Sequence, residues 1–163
     1  MNTLDKRLAC VASLVRPGRV LADIGTDHAY LPVHLVGAGV CPRAIASDIG
    51  EGPLAAARHT VQTAGMDDTI ACRLGDGLST IAPGEVEDIA IAGMGGETIA
   101  AILSAADWVR DSRLRLVLQP MSRAEELRRW LLSHGFAILE EHLVRDKHHL
   151  YPVMSAEYTG TPV

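Results

Sequence analysis

The sequence predicts an α/β protein built on a doubly wound, mostly parallel sheet that ends in an antiparallel hairpin. Short apolar runs alternate with amphipathic segments along the 163 residues, a pattern typical of parallel strands joined by helices. The last two apolar runs have no helix between them, so we expect them to pair antiparallel. The first apolar run ends in Asp23-Ile24-Gly25, where an open α/β sheet of this kind binds a nucleotide.

Each element is predicted from the apolar spacing and from the residues that end it. In order, we predict a helix over 4–15, a strand over 19–24, a helix over 28–37, a strand over 43–48, a helix over 52–64, strands over 69–74 and 87–92, a helix over 95–106, a strand over 114–118, a helix over 122–133, and strands over 136–144 and 149–157.

Turn and capping residues support these boundaries. Pro17-Gly18 ends the first helix, and Pro53 suits the first turn of the third. Ser122 is a plausible N-cap for the last helix. The polar turn over 145–148, with His148 and the adjoining His149, joins the final two strands.

Composition limits the function classes. Hydrophobic residues make up 48% of the chain, too many for disorder, and no apolar stretch is long enough to cross a membrane. The first residues lack the apolar core of a signal peptide, so we expect one cytoplasmic domain over 1–163. The sequence leaves the oligomeric state open, with a monomer favoured. Cys10, Cys41 and Cys72 are widely spaced and fit buried thiols better than a disulfide or zinc set.

The net charge of −5 argues against nucleic-acid binding by charge alone. Six arginines nevertheless lie between Arg110 and Arg129. Their ordinary interpretation is a solvated helix face with its preceding loop. Together with Lys6-Arg7 they are also candidate phosphate contacts. Trp108 and Trp130 are interpreted as packing residues.

Four turns should meet at the carboxyl ends of successive strands. They contain Asp23, Gly25, Thr26, Asp27 and His28; Asp48 and Ile49; Gly75, Asp76 and Gly77; and Ala92, Gly93, Met94, Gly95 and Gly96. The first turn lacks the second glycine of a dinucleotide fingerprint. Its two acids would repel a pyrophosphate and would tolerate a cationic centre, which favours S-adenosylmethionine (SAM) as the cofactor.

Roles for the other turns follow from their chemistry. Asp48 lies 25 positions after Asp23, close to the spacing of an acid that binds ribose hydroxyls. Ile49 would cover an adenine face, and Asp76 would accept the adenine amino group. The glycines after the fourth strand indicate close approach of backbone to a ligand. Asp27 binds the ligand, positions an acceptor or caps a helix, and His28 most simply faces solvent or a neighbouring loop.

Several segments resemble a known family. They are Asp23-Ile-Gly-Thr-Asp-His-Ala-Tyr-Leu-Pro32, Gly75-Asp-Gly-Leu78, Ile91-Ala-Gly-Met-Gly-Gly96 and Leu118-Gln-Pro120. Together they resemble the bacterial tRNA (adenine(22)-N1)-methyltransferases, over nearly the whole chain. The resemblance implies a Rossmann-like class I methyltransferase fold, SAM as cofactor and tRNA as partner. It also implies that the four turns bind SAM and that Asp27 lies near the transferred methyl. We do not expect the C-terminal helical domain usual in the family within residues 1–163, which is consistent either with truncation at Val163 or with a short variant.

The residues favour a ring nitrogen as methyl acceptor. Enzymes that methylate amino groups often carry an Asn/Asp-Pro-Pro-aromatic loop after the fourth strand, and this chain has Ala92-Gly-Met-Gly-Gly96 there. Our hypothesis is that Asp27 accepts the N6 hydrogen of adenine and so orients N1. Three alternatives stay open: a small-molecule or protein methyltransferase, a nucleotide-binding oxidoreductase, and a non-catalytic SAM- or RNA-binding module.

Overall fold

The structure, a computed structural model, describes residues 4–162. Its helices and strands are α1 (Lys6–Leu14), β1 (Leu21–Ile24), α2 (Tyr30–Gly37), β2 (Ala44–Asp48), α3 (Glu51–Thr63), β3 (Ile70–Leu74), β4 (Asp88–Met94), α4 (Gly96–Ser104), β5 (Arg115–Pro120), α5 (Ala124–Ser133), β6 (Phe136–Asp146) and β7 (His149–Tyr158). Every predicted helix and strand is present. Two short 3₁₀ helices, Gly77–Thr80 and Asp107–Val109, were not predicted.

The strands form one sheet in the order β3-β2-β1-β4-β5-β7-β6. The pairs among the first five strands are parallel, and β7 is antiparallel to both β5 and β6. The chain builds outward from β1 to β3 and then returns to place β4 on the other side of β1. The strand order therefore reverses between β1 and β4, where sheets of this type bind ligands. The predicted fold class is confirmed.

Helices cover both faces of the sheet. The side chains of β5 show the division, because Leu116 and Leu118 belong to one buried cluster and Val117 to the other. Helices α4 and α5 pack in the first cluster through residues such as Ile99 and Leu127. Helices α1, α2 and α3 pack in the second. The central strands β1, β2 and β5 are thus buried on both faces, and the carboxyl edge of the sheet is left for a site.

Some local predictions were wrong. Helix α5 begins at Ala124 after Arg123, which has a left-handed φ of 52°, so Ser122 is not its N-cap. The hairpin turn is shorter than predicted, because β6 continues to Asp146 and β7 begins at His149. All three cysteines are free, but only Cys41 is buried; Cys10 and Cys72 are partly exposed. Trp108 and Trp130 pack against the core as predicted.

Candidate active site

A cavity of about 390 Å³ opens at the carboxyl ends of β1, β2 and β4. Nine of the predicted binding residues line it: Asp23, Gly25, Thr26, Asp27, His28, Asp48, Ala92, Gly93 and Met94. The structure adds Arg7, Leu8, Tyr30, Leu31 and Met121 to this lining. Turns as far apart in the sequence as those of Asp23 and Met94 therefore meet at one place, as the sheet topology requires.

Asp23 is the buried acid of this cavity. Its Oδ2 accepts a hydrogen bond of 2.7 Å from the Thr26 hydroxyl. The pKa of Asp23 is raised to about 6, chiefly by burial and in part by the neighbouring Asp48, against the opposing effects of the Thr26 hydrogen bond and of Arg7. Burial thus disfavours the ionised form of Asp23, and a cationic ligand beside it would stabilise that form.

Asp48 holds the first turn in place. Its Oδ1 accepts the Gly50 N–H at 2.9 Å, and its Oδ2 accepts the Asp27 N–H at 3.0 Å. Each carboxylate oxygen can accept more than one hydrogen bond, so both keep capacity for ligand hydroxyls. Asp48 therefore fixes the turn and still faces the cavity.

The backbone around Asp27 is strained. Asp27 and Ala29 have left-handed φ values of 58° and 60°, which costs alanine roughly 1 kcal/mol. The Asp48 hydrogen bond supports this conformation. It leaves the Asp27 side chain 67% exposed at the cavity mouth, with Oδ2 3.1 Å from Nδ1 of His28. Strain of this type collects at functional sites, and here it presents a carboxylate to an incoming molecule.

The backbone N–H groups of the first turn donate hydrogen bonds to the protein itself. The N–H groups of Gly25 and Thr26 both donate to the Ser47 carbonyl at 2.9 Å, and α2 begins only at Tyr30. The amides of Gly25 and Thr26 are therefore already satisfied within the protein, although Gly25 itself lines the cavity. Gly25 has a φ of +73°, and a Cβ at this position would contact the Cε of Met94.

A bulge at the end of β4 forms the opposite wall. The register shifts between Ala92 and Met94, and Gly93 has a φ of +83°. The Gly93 N–H donates at 3.0 Å to Oε1 of the buried Gln119, which also accepts at 2.7 Å from Nη1 of Arg7. Arg7, a candidate phosphate contact, thus places its guanidinium in the cavity wall.

The next two glycines serve packing. Gly96 is buried, and a Cβ there would overlap the carbonyl oxygen of Arg123. Its N–H donates at 2.7 Å to the Ser122 carbonyl. Neither Gly95 nor Gly96 is among the residues that line the cavity, so the need for glycine at 96 comes from the contact between α4 and the start of α5.

A second group of predicted residues lies beside the cavity, at the ends of β2 and β3. Ile49 is 68% exposed, and Leu74, paired in register with Asp48, is 48% exposed. Gly75 donates its N–H to the Asp48 carbonyl at 3.0 Å. Asp76 is exposed, and together with Gly77 it lines a separate groove against α4. Two exposed apolar side chains next to an acid form a surface suited to a purine ring.

The arginine-rich stretch is largely neutralised. Four of its six arginines lie within 4.0 Å of a carboxylate, and the pairs are Arg113–Asp111, Arg115–Glu157, Arg123 with Glu97 and Glu126, and Arg128–Glu141. The structure thus favours the interpretation as a solvated face over the one as a dedicated phosphate surface.

Sequence reasoning missed several contributors. Gln119 and Arg7 are 112 positions apart, and no local pattern relates them. Leu74 had a usable signal, since it directly precedes the predicted Gly75 turn. No group of three His, Cys, Asp or Glu side chains that could hold a metal occurs in residues 4–162. In that same range no helix could cross a membrane.

Known proteins share this architecture. A family model described as "Methyltransferase domain" matches residues 4–154. The Bacillus subtilis tRNA (adenine(22)-N(1))-methyltransferase is 42% identical over 154 residues, which are 94% of this chain and 65% of the relative. The chain thus spans just under two thirds of that relative's length.

Solved structures of methyltransferases are also similar to this chain. The crystal structure of the B. subtilis M1A22 tRNA methyltransferase matches with a TM-score of 0.92 and 41% identity, over 96% of this chain and 67% of that one. Streptococcus pneumoniae Sp1610 in complex with S-adenosyl-L-methionine matches with a TM-score of 0.92 and 38% identity, over 99% and 75%.

Proposed function

The chain belongs to the tRNA (adenine(22)-N1)-methyltransferase family, and we propose that it transfers a methyl group from SAM to N1 of adenine 22 in tRNA. One observation carries the proposal: three carboxylates, Asp23, Asp27 and Asp48, line a single cavity at the point where the strand order reverses. Such a cavity repels phosphate and suits a nucleoside that carries positive charge.

The residues present fit SAM. Asp23 would offset its positive charges, and Asp48 would accept hydrogen bonds from its ribose hydroxyls. The Arg7 guanidinium lines the same cavity and would pair with the carboxylate of the methionine moiety. Ile49 and Leu74 would cover the adenine ring, with Asp76 accepting its amino group.

The chemistry requires little more than orientation. When bound, SAM supplies a methyl group to the lone pair of adenine N1, and the electron pair of the broken C–S bond stays on sulfur. Asp27, exposed at the mouth, would accept the N6 hydrogen and so direct N1 inward. Its negative charge would also offset the positive charge that forms on the base. Holding two reactants in line supplies roughly 7–11 kcal/mol of a barrier.

The acceptor must leave its stack to reach this site. N1 of a paired adenine is buried in the helix, so the base has to be unpaired or flipped out. Because tRNA is the proposed substrate, we infer a cytoplasmic protein. Every residue assigned a role lies in one chain, so a monomer suffices.

The roles of two acids can be separated by substitution. Asp27→Ala should bind SAM within a few-fold of wild type yet lose methyl transfer to tRNA, whereas Asp48→Ala should lose SAM affinity. Calorimetry measures the affinity for SAM, and incorporation of labelled methyl groups into tRNA measures the transfer. Asp68→Ala, at an exposed acid before the amino end of β3, is the matched control and should change neither.

Two results would reject these assignments. Turnover that survives Asp27→Ala removes its catalytic role, and unchanged affinity in Asp48→Ala removes the ribose contact. Label that enters small metabolites in preference to tRNA would indicate a small-molecule methyltransferase on the same fold.

A further inference from the structure

A second groove, of about 630 Å³, meets the active-site cavity at its mouth. His28 and Tyr30 line both. From there the groove follows α2 and α3, and its remaining lining residues are Val33, Ala56, His59, Thr60, Thr63, Ala64 and Met66. The stretch of α3 from Ala56 to Thr63 is about 10 Å long, so the groove leads away from the site along the helix.

The nearly parallel rings of His28 and Tyr30 lie between the groove and the active-site cavity. The centroids of His28 and Tyr30 are 5.1 Å apart with an interplanar angle of 15°. Tyr30 is 36% exposed, a high value for an aromatic side chain beside a core. Nδ1 of His28 lies 3.1 Å from Oδ2 of Asp27. The acid assigned to the acceptor base is therefore in contact with this ring pair.

The charge of the groove is unusual for this protein. The chain has 20 acidic residues and a net charge of −5, yet no carboxylate is among the groove's lining residues within 4–162. Four other concave surfaces are each lined by two or three carboxylates. These are Asp76 and Asp107 in the groove against α4, Asp23, Asp27 and Asp48 in the active-site cavity, Glu87 and Asp111 in a third surface, and Asp67, Asp68 and Glu85 in a fourth. A polyanion that reaches the active site along this groove therefore meets no carboxylate among the described lining residues on its way to His28.

The available polar groups fit a nucleotide. The Thr60 hydroxyl already donates to the Ala56 carbonyl at 3.0 Å. His59 and Thr63 are exposed and can donate to phosphate or sugar oxygens. The ring pair at the mouth offers a surface for base stacking, the usual way in which proteins hold unpaired nucleotides.

We propose that the groove between α2 and α3 binds the nucleotide next to the methyl acceptor, with its base on Tyr30 and its phosphate beside His59. This inference rests on the proposed function and adds an RNA contact that orients the acceptor. Holding the flanking nucleotide stabilises the extruded base, because the backbone on one side of it is then fixed.

A carboxylate introduced into the groove tests the phosphate contact. Thr63→Glu should raise the KM for tRNA roughly tenfold at low salt, and the effect should shrink as salt rises. Gln62→Glu, at the exposed neighbouring position outside the groove, is the matched control and should change KM less than twofold. SAM affinity by calorimetry should match wild type in both variants.

Substitution of the ring tests stacking. Tyr30→Leu should weaken binding of fluorescently labelled tRNA roughly ten- to a hundredfold, whereas Tyr30→Phe should keep it within a few-fold. Circular dichroism and thermal unfolding check that each variant is folded.

The outcomes separate this proposal from the function on which it rests. If wild type does not methylate tRNA, the proposed function fails. If wild type is active and Thr63→Glu has an unchanged KM, the groove is not the RNA path and this inference alone is overturned. A wild-type dimer that Thr63→Glu dissociates, with KM unchanged, would show a second copy of the chain as the occupant and would equally overturn it.

Discussion

The buried acid Asp23 should link cofactor affinity, stability and pH, and Asp23→Asn should separate them. In the folded protein the pKa of Asp23 is raised from 3.8 to about 6, chiefly by burial. At about 1.4 kcal/mol per pH unit, the ionised side chain costs the fold about 3 kcal/mol above pH 6. A neutral asparagine of the same shape avoids this cost.

The sign of the stability effect follows from proton binding. Because the folded protein holds the proton more tightly than the unfolded chain, the cost is absent below about pH 4 and grows between pH 4 and 6. The free energy of unfolding of Asp23→Asn should therefore exceed that of wild type at pH 7.5, and the two should converge near pH 4. Urea unfolding at a series of pH values measures the difference.

Cofactor affinity should change in the opposite sense. A cationic ligand favours the ionised acid, and with a pKa of about 6 the ionised fraction rises from about one tenth at pH 5 to nearly all at pH 7.5. The affinity of wild type for SAM should thus rise about tenfold over this range. Asp23→Asn should bind at least tenfold more weakly at pH 7.5 and show little pH dependence, because a hydrogen bond to a charged group is worth roughly 1.5–3 kcal/mol.

Two results would refute this reasoning. One is a wild-type affinity that does not change between pH 5 and 7.5. The other is an Asp23→Asn protein that is less stable than wild type at pH 7.5. Asp68→Asn, at an exposed acid, serves as the control in both titrations.

Two further substitutions test the packing of α4 beside the site and the support of Arg7 in the cavity wall. Gly96→Ala should lower the free energy of unfolding by roughly 1–3 kcal/mol, because its Cβ would overlap the Arg123 carbonyl. Gly52→Ala, in the first turn of α3 with nothing within 4 Å, should instead raise it by about 0.5–1 kcal/mol, and equal effects in thermal unfolding would contradict the packing explanation. Gln119→Leu should weaken SAM binding roughly tenfold by releasing Arg7 from its 2.7 Å hydrogen bond. Calorimetry against the exposed-site control Gln62→Leu measures this, and equal affinities would show that Gln119 does not position the site.

The fold could be predicted because its signals are local. Buried strands such as Ile89–Ile91 and Leu116–Leu118 are short apolar runs, and breakers such as Pro17-Gly18 separate them from helices. The topology then follows, since parallel strands need crossover helices and two adjacent strands do not. These rules alone bring Asp23, Asp48 and Ala92 to one edge.

What could not be predicted depends on tertiary contacts. Ser122 had the chemistry of an N-cap, but Gly96 brings α4 against the Ser122–Arg123 backbone, and α5 begins two residues later. The same limit applies to Gln119, whose partners Arg7 and Gly93 lie on other elements. The binding roles assigned to the cavity residues stay predictions until a ligand is observed there.

Nucleoside mass spectrometry of tRNA incubated with this protein and SAM tests the central claim most directly. Modified and control tRNA are digested at neutral pH, and methylated adenosines are separated by chromatography. We predict 1-methyladenosine that depends on both SAM and Asp27 and that does not form in tRNA whose adenine 22 is replaced by another nucleotide. Absence of 1-methyladenosine from tRNA that the protein binds together with SAM, or a methyl group on the exocyclic amine, would contradict the account.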